Sequence, residues 1–435
     1  MLKSSKVDNG INGEIIIPGD KSISHRSIII PSISNGVTEV SNLLWSEDVI
    51  STLNAFKAMG VKISKDTNKL KIVGKGLNSL SSPKNNIDLG NSGTSARLLT
   101  GLLAGQNFNS TIIGDESLSS RPMVRIVKPL ELMGAKIKTN EGKLPIKILG
   151  QKLKNLNYNL ELPSAQVKSG IILAALNVDG LSQIIEKNIT RDHTEKMLSS
   201  FGAHIKIQEI NESKKITIKG KKELKPQNIS VPSDLSSAAF FIVAALINKN
   251  SKIRLLNINL NPTRTGIITA LKKMGGNIKI SNLREINNEI VGDINVESSD
   301  LKGCELGSDM ARLMIDEYPI LSIAASFAKT SSLFKNLKEL RVKESDRLEL
   351  IRLNLVRCGV YCEIKDDDLF IDPIRNKIPN KNIIKTDSDH RIAMSFAIMG
   401  TKLGTSLKIE KHEYIKTSFP NFIEELNRVG GNLTE

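Results

Sequence analysis

Asn54-Ala-Phe-Lys-Ala-Met-Gly60-Val-Lys-Ile63 reads as the end of an amphipathic helix, a bulky residue, a glycine and the start of a strand. The pattern returns at Pro129-Leu-Glu-Leu-Met-Gly134-Ala-Lys-Ile137, Met197-Leu-Ser-Ser-Phe-Gly202-Ala-His-Ile205 and Leu271-Lys-Lys-Met-Gly275-Gly-Asn-Ile278. It returns again at Leu355-Val-Arg-Cys-Gly359-Val-Tyr361 and Leu426-Asn-Arg-Val-Gly430-Gly-Asn-Leu433. Each glycine stands where a helix C-terminus needs a left-handed residue before the chain turns into a strand. One such glycine carries little information. Six of them, 68 to 84 residues apart, define a repeat.

Between these copies lies a second type of helix, apolar almost all round. The six segments are Ser22–Ser34, Gly93–Gly105, Ala165–Leu176, Leu235–Ile247, Glu317–Ala328 and His390–Gly400. A helix without a broad polar face is buried inside its domain. Each unit thus has a buried helix, a surface helix and β-branched strands such as Glu14–Ile17, Thr111–Ile113 and Ile146–Ile148. Units with their own strands at this period are too large for a solenoid. The expected class is α/β (α+β), with three units in each of two similar domains. The polar stretch Gly220 to Asn228, carrying Pro226, is the best linker near the midpoint.

Composition agrees. A chain of 435 residues exceeds one ordinary core and suits two domains. Hydrophobic residues make up 40% and charged residues 25%, the balance of a globular protein. No apolar run approaches the roughly 20 residues that cross a bilayer. Met1 to Ile17 carries neither a signal-peptide core nor an Arg/Ser-rich transit segment, so an unexported, cytoplasmic protein is expected. Cys304, Cys358 and Cys362 form no CxxC pair and read as reduced structural thiols. The net charge of +15 suits either nucleic acid or small polyanions. Scattered lysines and only 4% aromatic residues weigh against nucleic acid.

Polar functional residues gather where the buried helices begin. They include Pro18-Gly-Asp-Lys-Ser-Ile-Ser-His-Arg26, Leu89-Gly-Asn-Ser-Gly-Thr-Ser-Ala-Arg97, Pro163-Ser-Ala-Gln-Val-Lys168, Pro232-Ser-Asp-Leu-Ser-Ser237, Ile315-Asp-Glu317 and Thr386-Asp-Ser-Asp-His-Arg391. A helix N-terminus offers unpaired N–H groups and the positive end of a dipole, which suit an anion. Ordinary capping accounts for the Ser, Thr, Asp and Asn residues. It leaves Lys21, Arg26, Gln166, Lys168 and Arg391 unexplained, because a cation on a buried helix is costly unless it meets an anion. Asp115-Glu-Ser-Leu-Ser-Ser-Arg-Pro-Met-Val-Arg125 and Glu339-Leu-Arg-Val-Lys-Glu-Ser-Asp-Arg347 add dense charge. Isolated carboxylates at Asp316 and Glu344 among these cations suit a site that grips two anions and moves protons. P-loop, GxGxxG, HExxH and GxSxG patterns are absent, and the five histidines show no metal-ligand spacing with the cysteines.

Eight stretches together resemble the 3-phosphoshikimate 1-carboxyvinyltransferase (EPSP synthase) family, in the family's order and nearly end to end. They are Gly19-Asp-Lys-Ser-Ile-Ser-His-Arg26, Gly90-Asn-Ser-Gly-Thr94, Ser120-Arg-Pro-Met123, Ser164-Ala-Gln166, Asp316-Glu-Tyr-Pro319, Leu340-Arg-Val-Lys-Glu-Ser-Asp-Arg347, Asp389-His-Arg391 and Ser418-Phe-Pro420. Arg191-Asp-His-Thr-Glu195 and Ser164-Ala-Gln166 look like the bacterial subgroup that tends to tolerate glyphosate better. The sister family acting on UDP-N-acetylglucosamine usually carries a reactive cysteine on the loop before its Arg-Pro. Asp115 to Ser120 has none.

The resemblance implies two domains of three βαβαββ units each, hinged around a central cleft and closing over substrate. It implies boundaries at 19–230 for the first and 1–18 plus 231–435 for the second, with the N-terminal strand packed in the second. It implies that Lys21, Ser22, Arg26, Ser164, Ala165, Gln166, Arg191, Asp316 and Lys343 hold shikimate 3-phosphate. Lys21, Gly93, Arg121, Gln166, Arg347 and Arg391 hold phosphoenolpyruvate on the same reading. Asp316 takes the proton of the attacking hydroxyl, Glu344 protonates the methylene carbon, and Lys21 joins them as a catalytic residue. The implied enzyme is a monomer with small-molecule substrates and no metal, organic cofactor, nucleic acid or membrane partner. The family's late lysine does not align cleanly, since Thr417 stands in its place beside Lys416.

Overall fold

A computed structural model describes residues 1–66, 69–211, 213–375 and 382–435. Two helices recur in every repeat, with further short ones at Glu116–Ser120 and Ser308–Met314. The buried members are α1 (Lys21–Ser32), α3 (Gly93–Ala104), α5 (Ala165–Ala175), α7 (Leu235–Ile247), α9 (Tyr318–Ser326) and α11 (His390–Lys402). The surface members are α2 (Glu47–Ala58), α4 (Val124–Leu132), α6 (His193–Ser200), α8 (Gly266–Lys273), α10 (Arg347–Arg357) and α12 (Phe422–Arg428). All thirteen residues of α7 are buried, as its uniformly apolar sequence requires.

The repeating glycine directly follows the C-cap of every surface helix. At all six positions φ lies between 82° and 105°. The next residue donates its N–H to a carbonyl five positions earlier, from Val61 to Phe56 in the first copy through Gly431 to Leu426 in the last, at 2.8–3.1 Å. This double-turn cap satisfies carbonyls the helix leaves open. The bulky residue before the glycine faces the core; Met59, Met133, Phe201 and Met274 are all fully buried.

Among the described residues, six four-stranded sheets complete the copies. In the third, Asn157–Asn159 runs parallel to Leu181–Glu186, which pairs antiparallel with Ser213–Lys219, itself antiparallel to His204–Ile210. With α5 and α6 interposed, the order is βαβαββ. The strand Lys143–Leu149 of the second copy shows why such segments form: Leu144, Ile146 and Ile148 point inward while Lys143 and Lys147 face solvent. Each such side chain removed from water contributes about 1.5–3 kcal/mol.

Three sheets borrow strands from elsewhere in the chain. Ile229–Ser230 completes the first copy's sheet beside Asn35–Ser41. Asn12–Ile15 completes the fourth copy's sheet beside Lys252–Asn259. Leu2–Ser4 lies between Leu407–Ile409 and Leu433–Thr434, closing the sixth.

The chain forms two compact units. One holds Met1–Pro18, Pro232–Glu285 and Ile290–Glu435, with α7, α9 and α11 packed on one another. The other holds Gly19–Val231 and Ile286–Glu289. In that unit α3 packs on α5 at Gly101, where a Cβ would lie 2.0 Å from the Gly170 carbonyl oxygen. Only glycine allows so close a crossing. The Gly220 to Asn228 stretch is not a free linker: Lys221 N–H reaches Leu176 O, Lys225 N–H reaches Phe201 O, and Asn35 N–H reaches Leu224 O. Its polar composition reflects surface exposure. The change of unit comes three residues beyond its end, at Val231–Pro232.

Candidate active site

In the unit of Gly19–Val231, three buried helices begin with the residues singled out from the sequence. Asp20 caps α1 by accepting the Ile23 N–H at 2.9 Å. Lys21, the first residue of α1, is partly exposed and pairs with Asp48 of α2. Ser22 follows, half-buried. Arg26, one turn on, is buried, donating to Thr194 Oγ1 at 2.6 Å, Ser169 Oγ at 2.8 Å and the Ser22 carbonyl at 2.8 Å. Burial lowers its pKa to about 10, with Glu195 opposing the shift. Thr194 donates in turn to Ser169 Oγ at 2.6 Å. The loop bearing Arg191 leads directly into this first turn of α6.

Helix α3 begins at Gly93, capped by Ser92, whose Oγ accepts the Ser95 N–H at 3.2 Å. A Cβ on Gly93 would lie 2.9 Å from Arg97 Nη1 and 3.1 Å from Arg121 Nη1. Two guanidinium groups therefore flank the missing side chain. Arg121 donates to Asn91 Oδ1 at 2.5 Å and Ser117 Oγ at 3.1 Å. Arg97 donates to Gln166 Oε1 at 2.7 Å, and Gln166 Nε2 donates to Thr94 Oγ1 at 3.0 Å. Gln166 and Ala165 open α5, with Ser164 as its cap. The starts of α3 and α5 are thus tied together through Gln166.

The other unit holds Asp316, Lys343, Glu344, Arg347 and Arg391 as one connected cluster. Arg347 is 1% exposed. Its Nη1 lies 3.2 Å from Asp316 Oδ1, its Nη2 2.5 Å from Glu344 Oε2, and its Nε 2.8 Å from Asp389 Oδ2. Burial pulls its pKa down, but the three carboxylates, Asp389 foremost, hold it above the usual value. Lys343 Nζ lies 3.3 Å from the same Asp316 oxygen. Arg391 donates to the Asp316 carbonyl at 3.2 Å. Asp389 also caps α11, accepting the Arg391 N–H at 2.9 Å. Lys416 is exposed, while Thr417 turns inward and donates to the Tyr414 carbonyl at 2.7 Å.

One inference from the sequence needs correction. Lys168 enters an apolar helix, yet its anions belong to the protein: Nζ lies 3.0 Å from Glu186 and 2.8 Å from Glu195, all 1% exposed. Sequence spacing did not reveal partners 18 and 27 residues away. Arg97, which the sequence does not single out, joins the candidate-site side chains through Gln166. Its position one turn after Gly93 on the same helix face is the signal that could have found it.

The family model described as EPSP synthase (3-phosphoshikimate 1-carboxyvinyltransferase) matches residues 6–426. The chain is 48% identical over 427 residues to the 3-phosphoshikimate 1-carboxyvinyltransferase of Vesicomyosocius okutanii, covering 98% of this chain and 97% of that one. It is 44% identical over 430 residues to the protein of the same name from Geotalea daltonii, covering 98% and 99%. Among solved structures, EPSP synthase from Acinetobacter baumannii superposes with a TM-score of 0.87 at 41% identity, covering 100% of this chain and 99% of that one. The enolpyruvyl transferase NikO from Streptomyces tendae shares the fold, with a TM-score of 0.76 at 13% identity over 100% of this chain and 98% of that one.

Proposed function

The chain belongs to the EPSP synthase family, and we infer that it transfers the carboxyvinyl group of phosphoenolpyruvate to the 5-hydroxyl of shikimate 3-phosphate, releasing phosphate. That reaction serves the shikimate pathway and aromatic amino acid biosynthesis. The observation in this chain that supports the reading best is the Asp316–Arg347–Glu344 assembly. Two carboxylates able to move protons share one buried cation, with Lys343 beside them.

On this reading the 5-hydroxyl oxygen adds to C2 of phosphoenolpyruvate while Asp316 takes its proton. Glu344 delivers a proton to the methylene carbon, giving a tetrahedral ketal phosphate. Loss of a methyl proton and departure of phosphate restore the double bond. Lys21, Gly93, Arg121, Gln166, Arg347 and Arg391 hold phosphoenolpyruvate. Lys21, Ser22, Arg26, Ser164, Ala165, Gln166, Arg191, Asp316 and Lys343 hold shikimate 3-phosphate. Fixed cations supply the charge stabilisation such a step needs, so the reading calls for no metal or organic cofactor. Arg191-Asp-His-Thr-Glu195 and Ser164-Ala-Gln166 support membership of the more glyphosate-tolerant subgroup. Phosphate release from the two substrates together is the direct test.

A further inference from the structure

Next to Asp316 the chain carries a second carboxylate, Glu317, for which the reaction has no use. Glu317 is 3% exposed. Its Oε1 lies 3.6 Å from Arg391 Nη1 and accepts the Ser236 hydroxyl. Ser236 Oγ accepts in turn from Arg264 Nη2 at 2.6 Å. The same Arg264 nitrogen lies 3.0 Å from Asp234, the cap of α7. A buried line of contacts therefore runs from Arg264 through Ser236 and Glu317 to Arg391, linking the start of α7 to the start of α11.

The charges along this line balance in space. Arg264 answers Asp234, and Arg391 is paired with Glu317, with the Asp316 carbonyl oxygen 3.2 Å from the same Nη1. A buried carboxylate is costly to desolvate, and here it is matched to a guanidinium that is itself only 13% exposed at its side chain. A long arginine side chain otherwise samples many rotamers, and fixing it beforehand lowers the entropy cost when an anion binds. We propose that Glu317, held by Ser236, is a positioning residue that sets the Arg391 guanidinium for phosphoenolpyruvate. This rests on the assignment of Arg391 as a phosphoenolpyruvate ligand.

Steady-state kinetics of the full-length protein test it, with both KM values, kcat and thermal melting measured on each variant. Glu317→Gln keeps the shape and the acceptor for Ser236 but removes the charge. It is expected to raise the phosphoenolpyruvate KM about tenfold or more, leaving kcat at saturation and the shikimate 3-phosphate KM within about twofold. Ser236→Ala, which removes the tether and the Arg264 contact but keeps the Glu317 charge, should give a smaller rise in the same constant, and it serves if the first variant does not accumulate. Unchanged constants in either variant overturn the proposal. So does a parallel rise in both KM values with a lower melting point, which marks a merely structural role. Arg391→Lys separates the two levels. If it raises the phosphoenolpyruvate KM while Glu317→Gln does not, positioning alone is wrong; if it has no effect, the assignment of Arg391 falls and the proposal with it.

Discussion

The Arg347 guanidinium lies 2.5 Å from the Glu344 carboxylate, three residues earlier in the chain, and reaches Asp316 with its neighbouring nitrogen at 3.2 Å. A single buried cation thus fixes the spacing of two carboxylates that sequence order separates by 28 positions. Asp389 holds the third edge of the guanidinium, and through its capping of α11 it couples Arg347 to the backbone at Arg391. Removing Arg347 would leave these carboxylates without their shared partner, so the carboxylates themselves are the cleaner targets.

Asp316→Asn is expected to lower turnover by ~10²–10⁴-fold, the usual contribution of a positioned acid or base. Glu344→Gln should do the same and should also suppress exchange of the methylene hydrogens of phosphoenolpyruvate with solvent, followed by NMR in deuterated buffer. Near-normal turnover in either variant would remove that residue from proton transfer.

Gly93→Ala places a methyl group 2.9 Å from Arg97 Nη1 and 3.1 Å from Arg121 Nη1. Both neighbours are the ends of flexible side chains, so the protein should fold, while the guanidinium pair shifts. Crowding of this kind typically costs ~1–3 kcal/mol, more for the longer of two competing ligands. The glyphosate inhibition constant should therefore rise by a larger factor than the phosphoenolpyruvate KM. Equal shifts, or none, would show that Gly93 does not line the shared pocket.

Lys168→Met leaves Glu186 and Glu195 buried without their ammonium. Breaking a buried pair by removing one partner costs ~3–5 kcal/mol. A lowered urea midpoint is expected, and adding Glu186→Gln and Glu195→Gln should recover much of it. If the single variant is as stable as the parent, the cluster contributes little.

His25 is fully buried, with Nδ1 2.8 Å from Thr52 Oγ1. Burial, and then Lys21 and Arg26, hold its pKa well below the ordinary value. The unfolded chain binds a proton near pH 6.5 that the folded chain refuses, so stability falls as pH drops below that value. Between about pH 6 and pH 5 the parent should lose up to ~1.4 kcal/mol more than His25→Gln, measured by urea unfolding. Identical slopes for the two proteins would mean that His25 accepts a proton in the folded state.

Much of this architecture is legible in the sequence because its signals are local. Gly60 and its five counterparts require positive φ for steric reasons alone, and the uniformly apolar Leu235–Ile247 allows only a buried helix. The starts of α1, α3, α5 and α11 are legible because capping residues and polar or cationic residues lie next to one another. Long-range pairing is not legible in the residues themselves, and only the family resemblance points to the N-terminal strand packing in the second domain. Nothing in Leu2-Lys-Ser4 says that it closes a sheet with Leu407–Ile409 and Leu433–Thr434. Lys168 looked like a ligand cation because its two carboxylates come from other segments. Glu317 escapes a sequence reading for the same reason, since its partner Arg391 lies more than 60 positions away.

Phosphate release by the purified protein tests the functional assignment most directly. With shikimate 3-phosphate and phosphoenolpyruvate together, phosphate should appear in a one-to-one ratio with the enolpyruvyl product, and neither substrate alone should yield any. Failure to release phosphate with shikimate 3-phosphate, together with release when UDP-N-acetylglucosamine replaces it, would contradict the assignment.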